Sequence, residues 1–77
     1  MSLESESLHR AILRHLKKRG CAMFASDLQA EHRAMGVADQ PSHNEILVTC
    51  DGLRGLGLMV WTSHGWLITD AGKQVIA

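Results

Sequence analysis

Two cysteines and five histidines are the residues of this sequence that could bind a metal ion or act as nucleophiles. Structural zinc sites usually take their ligands in close pairs such as C-x-x-C or H-x-x-x-H, whose side chains converge on one ion. No pair with either spacing occurs in the sequence. The pattern therefore predicts no metal site and no bound cofactor.

The two cysteines, Cys21 and Cys50, are also the candidates for covalent catalysis. A cysteine thiolate becomes a good nucleophile when a histidine beside it acts as a base. No spacing in the sequence supports such a pair, and a chain of 77 residues leaves little room for a closed pocket. Two cysteines are too few for a disulfide framework and fit reduced thiols in a cytoplasmic protein. We expect no catalytic residues and no enzyme activity.

The most regular apolar spacing lies in the middle of the chain. Ile46, Cys50 and Leu53 recur at helical spacing, which places them on one buried stripe. They predict a helix, helix 3, over about residues 43–56. Gly57 follows at the position past a helix end where glycine adopts a left-handed backbone at low cost.

The start of helix 3 has its own signal in the sequence. Ser42 is a good N-cap, and Glu45, three residues later, can complete a capping box. Pro41 also disfavours a helical conformation for the residue before it. These residues predict a well-defined helix start at 42–43.

Two runs of strand formers follow helix 3, at 58–61 and 66–69, with the turn residues 63–65 between them. They predict a β-hairpin over 58–69. Because both faces of this hairpin carry apolar residues, we expect one of its two tryptophans in the core and the other partly exposed. No apolar run approaches the length of about 20 residues that a membrane helix needs.

The first half of the chain predicts two helices and a short strand. Helix 1 is expected from about Ser5 to Arg19, and helix 2 over about residues 27–34 with Ser26 as its N-cap. The short apolar run 21–24 lies between them as a candidate strand. Phe24, the only phenylalanine, is expected to be a core residue.

Two motifs give this arrangement a family resemblance. Cys50-x-x-Leu53-x-x-x-Gly57-Leu58 resembles the L-x-x-L-x-x-x-G-L ending of the recognition helix in winged-helix domains, and Leu67-Ile68-Thr69-Asp70-Ala71-Gly72 is similar to the L-T-x-x-G that closes the wing in many prokaryotic regulators. The resemblance implies a small α+β winged helix in the order α-β-α-α-β-β-α. It would form one domain over residues 1–77, ending in a short helix over about 71–77.

The resemblance also implies a function, that of a small sequence-specific DNA-binding transcription regulator. Helix 3 would enter the major groove of double-stranded DNA, and the hairpin would contact the backbone or the minor groove. With the core stripe facing inward, Asn44 lies at the centre of the outer face and is the residue best suited to read a base. The full set of expected DNA contacts is Ser42, His43, Asn44, Val48, Thr49, Arg54 and His64.

The charge balance favours an alternative function. Eight basic and eight acidic residues give zero net charge, whereas DNA-binding proteins usually have a basic surplus for phosphate contacts. The alternative is a protein–protein interaction module that uses helix 3 and the hairpin inside a larger assembly. A positive stripe joining helix 3 to the hairpin would favour DNA, and an apolar or acidic stripe would favour a protein partner. The sequence leaves monomer and homodimer open.

Overall fold

The computed structural model describes residues 8–36 and 40–77, and this part of the chain has an α+β fold. The expected start of helix 1 at Ser5 lies outside the described residues. In chain order the elements are helix α1 (Leu8–Arg19), helix α2 (Ala25–Ala34), helix α3 (His43–Gly55), strand β1 (Met59–Thr62), strand β2 (Gly65–Ile68) and helix α4 (Asp70–Val75).

The short first strand of the expected order is a single β-bridge between Met23 and Trp66. The Met23 N–H donates to the Trp66 carbonyl at 2.9 Å, and the Trp66 N–H donates to the Met23 carbonyl at 2.7 Å. Strands β1 and β2 pair antiparallel, with Trp61 opposite Trp66. The sheet order is therefore Met23, β2, β1. With this bridge in the place of the first strand, the α-β-α-α-β-β-α order is confirmed.

The core lies between the first three helices and the inner face of the hairpin. The predicted stripe of α3, formed by Ile46, Cys50 and Leu53, is fully buried. Burying an aliphatic side chain stabilises a fold by roughly 1.5–3 kcal/mol, so this stripe determines which face of α3 points outward. The other fully buried side chains are Ile12, Leu13, Leu16, Leu28 and Met59. In the two described ranges, no helix has the length and apolar character needed to cross a membrane.

Phe24 is not a core residue, and this expectation was wrong. Its side chain is 45% exposed, whereas Met23 before it and Ala25 after it are buried. Met23 takes the inward position because it pairs with Trp66, and the extended backbone then turns Phe24 outward. Helix α2 begins at Ala25, two residues earlier than expected, so its N-cap is Phe24 and the expectation of Ser26 was wrong. The Phe24 N–H donates to the Asp27 carboxylate at 3.1 Å.

The start of α3 has the predicted capping box. The Glu45 N–H donates to the Ser42 hydroxyl oxygen at 3.1 Å, and the Ser42 N–H donates to the Glu45 carboxylate at 2.9 Å. At the other end, Gly57 has a φ of +77° and its N–H donates to the Arg54 carbonyl at 3.0 Å. The Leu58 N–H closes this end by donating to the Leu53 carbonyl at 3.0 Å. This is a Schellman ending, and it stops the helix at Gly55, one residue before the expected end.

The L-T-x-x-G motif forms the joint between the hairpin and α4. The Thr69 hydroxyl donates to the Gly57 carbonyl at 2.8 Å and accepts from the Gly72 N–H at 3.1 Å. The Thr69 N–H donates to the Leu58 carbonyl at 3.1 Å. Gly72 itself lies against that carbonyl so closely that a Cβ atom would overlap its oxygen. The motif therefore ties the end of α3, the hairpin and α4 together.

The two cysteines lie in opposite environments. Cys50 is completely buried in the core, and Cys21 is exposed. Burial raises the pKa of the Cys50 thiol from 9.0 to about 12. Because the thiolate is the reactive form, Cys50 stays a protonated core thiol at neutral pH.

We expect iodoacetamide to alkylate only one thiol of the folded protein at pH 8, that of Cys21. Cys50 should react only after denaturation, since its thiol is both inaccessible and protonated. Mass spectrometry of timed samples measures this, and Cys21→Ser is the control, which should leave no fast-reacting thiol. Rapid modification of Cys50 in the folded Cys21→Ser variant would contradict the buried position.

Candidate nucleic-acid interface

The outer face of α3 is a continuous exposed strip. Asn44, Val48, Asp51 and Gly55 are all exposed, as expected from a rotation of about 100° per residue away from the core stripe. Val48 has 64% of its surface exposed although it is apolar. A Cβ atom at Gly52 or Gly55 would have no atom of another part of the described structure within 4 Å. The strip is therefore narrow, mostly uncharged and accessible to a partner.

Six of the seven expected contact residues lie on the surface, and one does not. Thr49 is only 8% exposed, so it does not lie on the outer surface where a DNA contact was expected. It follows Ile46 by three residues, which places it on the same side of the helix, against the core. The six that are exposed are Ser42, His43, Asn44, Val48, Arg54 and His64.

The N-terminus of α3 brings three of these residues together. Ser42, His43 and Asn44 are consecutive and exposed where the backbone N–H groups of the first turn carry partial positive charge. The capping box uses the Ser42 hydroxyl and places the Glu45 carboxylate at the same end. That carboxylate lowers the attraction of this helix end for phosphate. His43 and Asn44 are then the side chains of the first turn left for contact.

Arg54 is the only Lys or Arg from residue 40 to residue 77 other than Lys73. Its guanidinium donates to the Asp51 carboxylate at 2.6 Å, with 55% and 67% of the two side chains exposed. An exposed ion pair contributes only about 0–1 kcal/mol, so Arg54 can exchange Asp51 for a phosphate at low cost.

The hairpin tip holds His64 in a defined turn. The Thr62 hydroxyl donates to the Gly65 carbonyl at 2.8 Å and accepts from the His64 N–H at 3.1 Å. His64 is exposed at this tip, and no charged residue occurs between Arg54 and Asp70. The hairpin therefore presents one histidine and a neutral surface.

An aromatic cluster connects the hairpin to the start of α2. The expectation of one buried and one exposed tryptophan is confirmed, with Trp66 in the core and Trp61 53% exposed. Their rings meet edge to face with centroids 5.0 Å apart, and the Phe24 ring lies 6.1 Å from Trp61. Among the described residues, the buried Trp66 Nε1 finds no hydrogen-bond acceptor. Sequence reasoning did not place Phe24 beside Trp61, because these residues are brought together only by the Met23 bridge.

A pair of buried histidines was also missed. The His15 Nε2 and His32 Nδ1 atoms lie 3.3 Å apart, which joins α1 to α2. The only signal in the sequence is that His15 lies beside the apolar stripe of helix 1. Among the residues that the structure describes, no three His, Cys, Asp or Glu side chains converge to hold a metal ion.

The lysines and arginines other than Arg54 belong to α1, α2 and α4. Lys17 and Lys73 border an open cavity of about 300 Å³ between α1, β2 and α4, whose apolar lining includes Leu16 and Leu67. Cys21 also lines this cavity, but no histidine does. The cavity thus does not bring a cysteine and a histidine together as a nucleophile and its base would require.

No protein-family model, no curated protein and no solved structure matches this chain. Its function is therefore inferred from the strip of α3, the hairpin tip and the charges around them.

Proposed function

We propose that this protein is a small sequence-specific DNA-binding protein of the transcription-regulator type, acting in the cytoplasm. Helix α3 would enter the major groove, and the hairpin β1–β2 would act as the wing. The observation that carries the proposal is the accessible, capped helix α3, which exposes Asn44 in its first turn while its opposite side is held in the core. A helix of this width fits the major groove, which is about 12 Å wide.

The strip of α3 offers two kinds of base contact. An asparagine amide can donate to and accept from an adenine edge at the same time. Val48 lies one turn further along the same face and offers an apolar contact to a thymine methyl group. Gly52 and Gly55 continue the strip without side chains, which lets the helix backbone approach the groove closely. These contacts favour a target site that contains A·T pairs.

The electrostatic part of such binding would be small. Arg54, His43 and His64 are the exposed candidates for phosphate contact on α3 and the hairpin tip. The logarithm of affinity falls with the logarithm of salt by about 0.9 for each neutralised phosphate. With about two such contacts, a tenfold rise in salt would weaken binding by roughly 60-fold. That dependence is shallow for a DNA-binding protein.

The first experiment is an amide NMR titration of the labelled protein with a mixed-sequence duplex at low salt. Shifts that cluster at Asn44, Val48 and His64, and that disappear as salt rises, would support the proposed contacts. Low salt is the sharpest condition because non-specific binding is strongest there. Absence of any shift would count against DNA binding and favour a protein partner.

Replacing Asn44 with alanine is expected to weaken binding to a selected target duplex by roughly 1–3 kcal/mol, because the contacts to the base edge are lost. The affinity is measured by fluorescence anisotropy, on a target site obtained by selection from random duplexes. Gln74→Ala, at an exposed residue of α4, is the matched control and should leave the affinity unchanged. Equal affinities of the Asn44→Ala variant and the original chain for that site would contradict the groove assignment.

A protein partner is the second candidate function, and the charge of the surface favours it. From residue 43 to residue 69 the only Lys or Arg is Arg54, which is paired with Asp51. Leu47 and Val48 are exposed on α3, and Leu56 is exposed at its C-cap. An apolar surface without unpaired cations suits a protein interface in a larger assembly. In this case Val48→Asp would abolish capture of a partner, whereas the duplex titration would give no shifts.

A further inference from the structure

The backbone N–H and C=O groups of Trp61 point away from β2, towards the outer edge of the sheet. Met23 and Trp66 exchange both of their hydrogen bonds, so the Trp66 N–H and C=O are directed away from β1. In an antiparallel ladder, hydrogen-bonded and non-hydrogen-bonded pairs alternate across each strand. Trp61, opposite Trp66, is therefore in a non-hydrogen-bonded pair. Its own N–H and C=O face outward from the free edge of β1.

Within residues 8–36 and 40–77, this edge has few of the features that normally protect an edge strand. Natural edges are protected by being very short, by lysine or proline, by a bulge or by a covering element, and β1 has the first of these features, with four residues. Strand β1 has the sequence Met-Val-Trp-Thr, with neither a charge nor a proline, and pairs with β2 without a bulge. Val60 is 41% exposed and Trp61 is 53% exposed. The edge thus offers both backbone groups and apolar side chains to another strand.

We propose that β1 pairs antiparallel with β1 of a second copy of this chain, about a two-fold axis through Trp61. Trp61 would lie opposite its own equivalent, and each would donate its N–H to the other's carbonyl. In the same register Val60 would lie opposite Thr62 of the second copy. The two hairpins would then form one continuous four-stranded sheet. This inference does not depend on DNA binding.

The composition of the edge favours a second copy as the occupant. A two-fold interface requires a surface that complements itself, and a hydrogen-bonded pair centred on one residue satisfies this condition. The chain has zero formal net charge, and no charged residue lies between Arg54 and Asp70, so two copies meet without like-charge repulsion at the strand. Directly opposed side chains have Cβ atoms about 5.5 Å apart, which brings the two exposed Trp61 rings into contact.

The dimer should be weak and dependent on concentration, because an interface of one short strand lies below about 1,000 Å² of buried surface. Analytical ultracentrifugation of the full chain from about 10 μM to about 1 mM would cover this range. We expect the average mass to rise from monomer towards dimer. Over the same range the exchange of the Trp61 amide hydrogen should slow, since that N–H becomes hydrogen-bonded only in the dimer.

Two lysine variants test whether the dimer forms through the edge of β1. Val60→Lys places a charge on the edge strand and should leave the protein monomeric at all concentrations. Leu47→Lys is the matched control, because Leu47 is exposed to a similar degree, 39%, but lies on α3. It should dimerise like the original chain. Loss of the dimer in Leu47→Lys with retention in Val60→Lys would overturn the proposal.

A measurement on the unmodified chain keeps the test independent of variant folding. In a mixed sample of labelled and unlabelled protein, isotope-filtered NOEs should connect residues 60–62 of one copy to residues 60–62 of the other. A monomer up to about 1 mM would overturn the proposal. Intermolecular NOEs restricted to other surfaces would also overturn it, and protection of the Trp61 amide only after addition of a different protein would assign the edge to another partner.

Discussion

Replacing Gly65 with alanine is expected to destabilise the fold by about 4 kcal/mol, the sum of a backbone strain of about 1–3 kcal/mol and a similar cost of steric overlap. Gly65 has a φ of +114°, a conformation that residues with a side chain rarely adopt. A Cβ atom there would lie 2.5 Å from the Met23 carbonyl carbon and 2.8 Å from the Phe24 nitrogen. Because these are backbone atoms, they can move only if the Met23–Trp66 bridge breaks.

Thermal unfolding followed by circular dichroism measures this effect, and a loss of about 4 kcal/mol corresponds to a fall in Tm of roughly 20 °C for a domain of this size. Gly20→Ala is the matched control. Gly20 also has a positive φ, +70°, but a Cβ atom there would meet nothing within 4 Å. We expect Gly20→Ala to lower the free energy of unfolding by only about 1 kcal/mol, because it introduces backbone strain alone. Equal Tm values for the two variants would contradict the close approach of the hairpin to Met23.

The second large effect is expected at Gly72, where alanine should destabilise the fold by about 3 kcal/mol. Gly72 lies inside α4 with a helical backbone, so strain in φ plays no part. A Cβ atom there would overlap the Leu58 carbonyl oxygen and lie 2.8 Å from Ile68 Cγ1. To relieve the overlap α4 must move away from the hairpin, which weakens the hydrogen bonds of Thr69 to Gly57 and Leu58.

Urea unfolding of Gly72→Ala and Gly52→Ala separates this overlap from ordinary helix propensity. Gly52 is an exposed helical glycine in α3 with open space around it. Its replacement by alanine should stabilise the protein by about 0.5–1 kcal/mol, because alanine loses less backbone freedom on folding. Replacing glycine with alanine is therefore expected to lower the free energy of unfolding at Gly72 and to raise it at Gly52. A stabilising Gly72→Ala would mean that α4 does not pack against the Leu58 carbonyl.

The candidate site was largely predictable from the sequence because it is the reverse side of a buried stripe. Once Ile46, Cys50 and Leu53 are assigned to the core, helical geometry places Asn44 and Val48 outside. The same reasoning failed for Thr49, at the edge of the stripe. Whether an edge residue is buried depends on how closely the neighbouring elements pack around it, and periodicity does not contain that information.

The position of the short strand and its neighbours was less predictable. Residues 21–24 form an apolar run, but which of them faces inward depends on the register with β2. The bridge selects Met23, and Phe24 then joins Trp61 on the surface. A shift of one residue along a strand exchanges the two faces, so a run of apolar residues on both faces leaves the register undetermined until the partner strand is known.

Sequence alone determined the helices, the hairpin and their order, because apolar periodicity, the Ser42–Glu45 capping box and Gly57 act over a few residues. The tertiary structure decided which tryptophan is buried, that His15 meets His32, and that Gly72 is required for space. It also decided that Trp61 directs its backbone outward. These features depend on atoms far apart in the chain, and their distances are set by packing of the whole core rather than by any local preference.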